Sequence, residues 1–244
     1  MHRIAVAAHK GGSGKTTVSV NLAGALATQG ERVVVIDADP QGAAGASLGT
    51  SADKPTLYEV LSGTASLHEA VRATPHERID LVPGDLDLAG AEVELPRRPD
   101  WQGSLRQALR TLRSYDVAII DTAPGLGVLP YIALAAADRV LVVCPPDFLS
   151  FRALPTVLEA AQRARVPLIG IVPNRVEGRT RHESDVLDEL RARHAGELLV
   201  EVPRRVVLQD AAIAGQPVSV YAPTSAAAEA FARLAQEVSH ARTP

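Results

Sequence analysis

The 244-residue sequence contains one cysteine, Cys144. A single thiol excludes a disulfide framework, and any cysteine-ligated zinc or iron–sulfur site, within one chain. It suits a reducing compartment. Aromatic residues amount to only 3%. Lysine is scarcer than arginine: Lys10, Lys15 and Lys54 stand against 22 arginines. No apolar run approaches the roughly 18 residues of a transmembrane helix. The first apolar stretch, Ile4–Ala8, stops at His9-Lys10 and is too short for a signal-peptide core. These absences predict a cytoplasmic protein. A global basic excess is missing too, since 25 basic and 28 acidic residues give a net charge of −3. Residues 1–150 hold 13 basic and 17 acidic residues, a local charge of −4, whereas 151–244 hold 12 and 11, a local charge of +1. Any polyanion-binding face is therefore local, and the later part suits it better.

What is present is ample apolar material. Hydrophobic residues make up 46% and charged residues 22%, which excludes disorder as the main state. Apolar runs recur, each followed by a turn and a helical pattern. Expected strands are Ile4–Ala8, Arg32–Asp37, Ile79–Pro83, Asp116–Asp121, Arg139–Cys144, Ile169–Pro173 and the short Leu198–Val202. Expected helices are Thr16–Gln29, Ser104–Ser114, Leu154–Arg165, His182–His194 and Ser225–His240. Continuous Val/Ile runs alternating with helices predict a mostly parallel sheet flanked by helices on both faces. The fold class is α/β, a single doubly wound domain over 1–244. The Pro96–Pro99 stretch is expected as a surface loop.

The segment His9-Lys10-Gly11-Gly12-Ser13-Gly14-Lys15-Thr16-Thr17 lies between the first strand and the first helix. The pattern G-x-x-x-x-G-K-[ST] would place its first glycine at His9, so the loop is the variant K-G-G-x-G-K-T-T. Glycines let backbone N–H groups turn inward around phosphate oxygens, and the helix points its N-terminus at the same anion. Lys15 can reach β- and γ-phosphates, and the Thr16 hydroxyl can ligate Mg²⁺. Lysine is a compact point charge that arginine's planar fork does not replace. A second lysine, Lys10, would crowd Lys15 unless it faces another phosphate or another subunit.

Two more strands deliver acids to the same edge, where open α/β sheets bind ligands. Asp37 and Asp39 end one, and a turn at Pro40 could bring Asp39 toward the γ-phosphate to orient water and support Mg²⁺. Asp121 ends the other and suits a Mg²⁺-supporting role. The glycines at 125 and 127 give a segment able to sense the γ-phosphate. Asn174 ends a further strand, where its amide could pair with adenine.

Together these residues resemble the ParA family of partition ATPases, within the deviant Walker A class that also contains MinD. Lys10–Thr17, Asp37–Gly42, Thr56–Leu61, Leu81–Glu92, Tyr115–Gly127, Arg179–Arg181 and Val202–Val206 carry the resemblance. It implies a P-loop NTPase that binds ATP and Mg²⁺ through Lys10, Gly11, Gly12, Ser13, Gly14, Lys15, Thr16 and Thr17. It implies an ATP-dependent sandwich homodimer in which Lys10 reaches the partner's phosphates. Lys15 and Thr16 act in cis, Asp39 positions the attacking water, and Asp121 supports Mg²⁺. Asn174, Pro203 and Arg204 border the adenine. It also implies non-specific binding to double-stranded DNA in the ATP state, a ParB-like partner that stimulates hydrolysis, chromosome or plasmid segregation, and a place on the nucleoid. Many relatives carry arginines before the last helix, whereas Pro223-Thr224-Ser225-Ala226 is neutral. Candidates for a relocated DNA face are Arg179, Arg181, Arg204 and Arg205, with Arg191, Arg193 and Arg233 behind them. The alternatives are a ParA-like positioning ATPase for protein cargo and a MinD-like membrane-cycling ATPase. The last is disfavoured because 226–244 is poor in cations, so no membrane partner is expected.

Overall fold

The computed structural model describes residues 1–178 and 180–242. In chain order the first half runs β1 (His2–Ala7), α1 (Lys15–Thr28), β2 (Val33–Ala38), α2 (Ala43–Ser47), α3 (Leu57–Ser62), α4 (Leu67–Ala70), β3 (Arg72–Ala73), β4 (Ile79–Val82), α5 (Leu88–Glu94) and α6 (Ser104–Leu109). The second half runs β5 (Val117–Thr122), α7 (Val128–Ala136), β6 (Arg139–Cys144), α8 (Phe148–Arg163), β7 (Leu168–Val176), α9 (Arg181–His194), β8 (Val202–Pro203), α10 (Val206–Ile213), α11 (Val218–Tyr221) and α12 (Ala226–Arg242).

The strands form one sheet in the order β3-β4-β2-β5-β1-β6-β7-β8. β3 runs antiparallel to β4 and the other pairs are parallel. Central strands need apolar side chains on both faces, and β2 and β5 are buried at every position. The alternation of successive side chains divides them into two cores. Ala5, Val34, Ile36, Ala118 and Ile120 face a layer containing α3, α5, α6, α7, α8 and α9. Ile4, Val6, Val33, Val35 and Ile119 face α1, α2, α10, α11 and α12.

α1 is held unusually deep. Its Gly24 lies where a Cβ would come within 2.4 Å of Pro217. Its Asn21 accepts from Val218 N at 2.7 Å and donates to Thr17 O at 2.7 Å. The helix that opens the phosphate loop is thus clamped between the sheet and the C-terminal helices. The sheet's order reverses around β1, whose neighbours are β5 and β6. Such a switch point opens a crevice at the carboxyl ends of the strands.

Three of the expected elements differ in extent. α8 starts at Phe148, not Leu154, because Asp147 caps it and Pro155 is accommodated inside it. Proline normally belongs in a first turn, which the later start would have provided. α6 ends at Leu109 instead of Ser114. The strand expected over 198–202 is reduced to a bridge between Ile171 and Leu198, followed by β8. The 96–99 stretch is partly ordered, with a 3-10 turn over Leu95–Arg97. Among the described residues, no helix is long and apolar enough to cross a membrane.

Phe231 is wholly buried between α12 and the sheet. Phe231→Ala is expected to cost about 3–5 kcal/mol in urea unfolding. A loss below about 1 kcal/mol would show that α12 is not integral to this core.

Candidate active site

β1 releases the chain into the glycine loop, and α1 begins at Lys15. Gly14 adopts φ +91°, and a Cβ there would lie 2.2 Å from Asn174 Nδ2. Both the backbone and the space therefore demand glycine. The Asn174 amide donates to Ser13 O at 2.8 Å and is itself buried, so β7 supports the loop from beneath. Gly11 and Gly12, by contrast, meet nothing within 4 Å. The loop is an open cradle on one side and a packed joint on the other. Ser13 Oγ is buried in it without a hydrogen-bond partner.

Lys15 is 94% covered by its own surroundings, with 6% relative exposure. Burial lowers its pKa, while Asp121 and Asp39 nearby act to raise it. Asp121 is wholly buried and accepts from Thr16 Oγ1 at 2.6 Å and from Ser19 Oγ at 2.9 Å. Burial pushes its carboxyl up to about 6, against the pull of those two hydroxyls and of Lys15. Asp37 pairs in register with Asp121 on the adjacent strand. Burial, and then the Asp121 charge, hold Asp37 well above the usual carboxylate range. The Asp39 and Ala44 N–H groups oppose this by donating to it at 3.2 and 3.0 Å. Asp39 is half-buried, and its Oδ1 accepts from Gln41 N at 3.0 Å.

Lys10 is exposed at the start of the loop. It lines a cleft of about 480 Å³ with Ser13, Asp147, Arg175, Thr180 and Arg204. Burial raises the Asp147 carboxyl, but hydrogen bonds from Ser150 and the Lys10 charge outweigh it and hold it low. Pro203 is in β8 and lines a neighbouring hollow with Arg205.

The loop residues, Lys15, Thr16, Asp39 and Asp121 are thus brought together. Four of the candidate arginines lie near carboxylates of the chain itself. Arg179 lies outside the described residues. Arg204 donates to Glu177 at 2.6 Å, and Arg191 pairs with Asp188 and Glu201. Arg193 pairs with Glu189, and Arg233 approaches Glu229 at 4.0 Å. Arg181 and Arg205 are exposed and have no carboxylate partner among the described residues. Sequence reasoning passed over Ser19 and left Asp37 without a role. Ser19 had a signal, because it follows Thr16 by three positions and so shares its helix face.

A glycine loop with open space at Gly11 and Gly12 and a buried ammonium come together after β1, which places the chain among the P-loop nucleoside triphosphatases. A family model described as AAA domain matches residues 1–167. A second, described as 4Fe-4S iron sulfur cluster binding proteins of the NifH/frxC family, matches residues 114–244. Cys144, the only cysteine, is buried and cannot by itself supply a cluster's thiolates. The chromosome-partitioning ATPase Soj of Thermus thermophilus is 39% identical, over 98% of this chain and 95% of its own. The chromosome partitioning protein ParA of Caulobacter vibrioides is 36% identical, over 96% of this chain and 92% of its own. Cobyrinic acid a,c-diamide synthase from Mycobacterium smegmatis, solved with an ATP analog and magnesium, has a TM-score of 0.82 and 34% identity over 97% of this chain and 93% of its own. The chain belongs to the ParA/Soj family of chromosome-partitioning ATPases, and it is an ATPase.

Asp121→Asn removes a buried carboxylate that faces Asp37. Without nucleotide, the variant is expected to melt about 2–4 °C above the wild type, the scale of ~1 kcal/mol for a chain of this size. A lower melting temperature would show that the Thr16 and Ser19 hydrogen bonds to the charged form outweigh the repulsion.

Proposed function

We propose that this ATPase is a nucleotide-switched dimer that binds DNA without sequence preference in its ATP state and segregates chromosomes or plasmids with a ParB-like partner. The observation that carries this reading is Lys10. It is exposed at the mouth of the phosphate loop while Lys15 already fills the inner position. Two ammonium groups on one loop suit two sets of phosphates, one of them in a second copy of the chain.

The residues present fit ATP and Mg²⁺. The open side at Gly11 and Gly12 leaves room for phosphate oxygens, and Ser13 Oγ lacks a partner there. Lys15 offers its charge from a dry setting, where it acts more strongly than in water. Thr16 would hold the metal directly, with Asp121 behind it. Bound Mg²⁺ supplies charge neutralisation between phosphates. Asp39 stands at the rim of the same site and orients the attacking water. Asn174 holds the loop's carbonyl and leaves adenine to be bordered by its own edge, Pro203 and Arg204.

The DNA face is drawn from Arg181, Arg204 and Arg205, and Arg179 is a further candidate by sequence. Clustered cations that neutralise phosphates release counterions, so such binding weakens steeply with salt. Local charge matters here more than the net charge of −3. A cytoplasmic, nucleoid-associated location follows from that binding.

The deciding experiment measures binding to non-specific duplex DNA with ADP, with ATP and with a non-hydrolysable analogue, across a salt series. Binding confined to the ATP states and weakening with salt supports the reading. If no state binds while ATP still drives dimerisation, the track is protein cargo or membrane instead. Two variants separate the lysines. Lys15→Ala is expected to abolish ATP binding in equilibrium titration. Lys10→Ala is expected to keep nucleotide binding and lose ATP-dependent dimerisation in sedimentation. Unchanged dimerisation in Lys10→Ala would remove the sandwich role.

A further inference from the structure

α7 begins directly after the Gly125–Gly127 segment, and its N-cap is Gly127, which has no side chain to cap it. The first N–H groups of a helix need acceptors from elsewhere. Glu92 supplies one from α5: its Oε1 accepts from Leu129 N at 3.3 Å. The carboxylate lies flat against Gly127. A Cβ on that residue would come 2.7 Å from Oε1 and 2.9 Å from Oε2. A negative charge there is also favoured by the helix dipole.

The other end of the segment is tied to the phosphate loop, where Gly125 N donates to His9 O at 2.9 Å. Just upstream, Thr122 Oγ1 donates to Val6 O at 2.8 Å. Glu92 completes a set of anchors along 122–129. Its helix is itself referenced to the site. Gly84, ahead of α5, packs so closely that a Cβ would meet Asp37 O at 2.5 Å and Asp39 O at 2.8 Å. The chain from Gly84 through α5 therefore runs from the Asp37–Asp39 turn to the start of α7.

We propose that Glu92 is a positioning residue for ATP hydrolysis: by capping α7 it fixes the Gly125–Gly127 segment against the phosphate loop. This rests on the reading that the loop turns over ATP. Lys15 and the loop make the nucleotide contacts, so loss of Glu92 acts on the chemical step and spares binding. The fold carries its own reporter. Trp101, the only tryptophan, packs on Tyr131 of α7 with ring centroids 5.6 Å apart.

The test uses the full chain without DNA or partner. In Glu92→Ala, basal kcat is expected to fall about fivefold, as for a lost helix cap, while KM for ATP stays within about twofold. Acrylamide quenching of Trp101 in the nucleotide-free variant should rise. Glu92→Gln keeps an acceptor oxygen and should restore both kcat and quenching. Gly127→Ala drives a methyl group into the carboxylate and should reproduce Glu92→Ala. Wild-type kcat and quenching in Glu92→Ala would overturn the proposal. So would a Gln variant as slow as the Ala variant, or a rise in KM that accounts for the loss. If the wild type itself binds no ATP in equilibrium titration, the phosphate-loop reading fails instead, and Trp101 quenching, which needs no nucleotide, still decides whether Glu92 holds α7.

Discussion

Two carboxylates at one register of adjacent buried strands set the terms for the whole carboxyl edge of the sheet. Asp37 and Asp121 are out of water and beside each other. Buried charge is costly unless it is hydrogen-bonded or paired. The fold divides the load. Asp121 draws the Thr16 and Ser19 hydroxyls, and so fixes the rotation of α1 on the sheet. Asp37 draws the Asp39 and Ala44 N–H groups, and so fixes the turn that leads into α2. Lys15 supplies the opposite charge from the loop. Phosphate loop, first helix and second acidic turn are held in one arrangement because all three answer the same electrostatic demand.

The outer surface follows a different logic. Arg191, Arg193, Arg204 and Arg233 all lie near carboxylates of the chain itself. Exposed pairs of this kind are worth about 0–1 kcal/mol each. A phosphate can displace such a carboxylate, but the freed acid then remains close to the polyanion. Only exposed arginines without a carboxylate, such as Arg181 and Arg205, attract a polyanion without that offset. The proposed DNA face therefore rests on local charges that a net charge of −3 does not announce.

Much of this was legible in the sequence, for physical reasons that differ from element to element. β2 and β5 are buried on both faces, so their runs are continuous and unmistakable. Lys15, Thr16, Asp39 and Asp121 stand at fixed distances from strand ends, and strand ends are where parallel sheets place their chemistry. α7 was not legible, because Val128–Ala136 is almost wholly apolar and shows no helical period. α3 and α5 are short, at six and seven residues; α3 is held by its Thr56–Glu59 capping box and packing, and α5 by packing, rather than by periodicity. The work of Asn174 was visible only in part. Its position at a strand end could be read, but its bond to Ser13 O joins residues 161 apart. The Glu92 cap on α7 is equally non-local, and the pairing of surface arginines depends on which carboxylates tertiary folding brings near.

The position of β1 has a consequence for how the chain comes into being. It precedes both of its neighbours in the chain and lies in the interior of the finished sheet. Its partners are residues 117–121 on one side and 139–142 on the other. Parallel partners so distant in sequence are slow to find. At a synthesis rate of about 5–20 residues per second, β1 waits roughly 7–30 s before its second neighbour has been polymerised. The chain must extend to residues 139–142 before this strand can be enclosed. The enclosure of β1 therefore waits on distant parts of the chain, and its apolar faces and strand edges stay uncovered until β5 and β6 arrive.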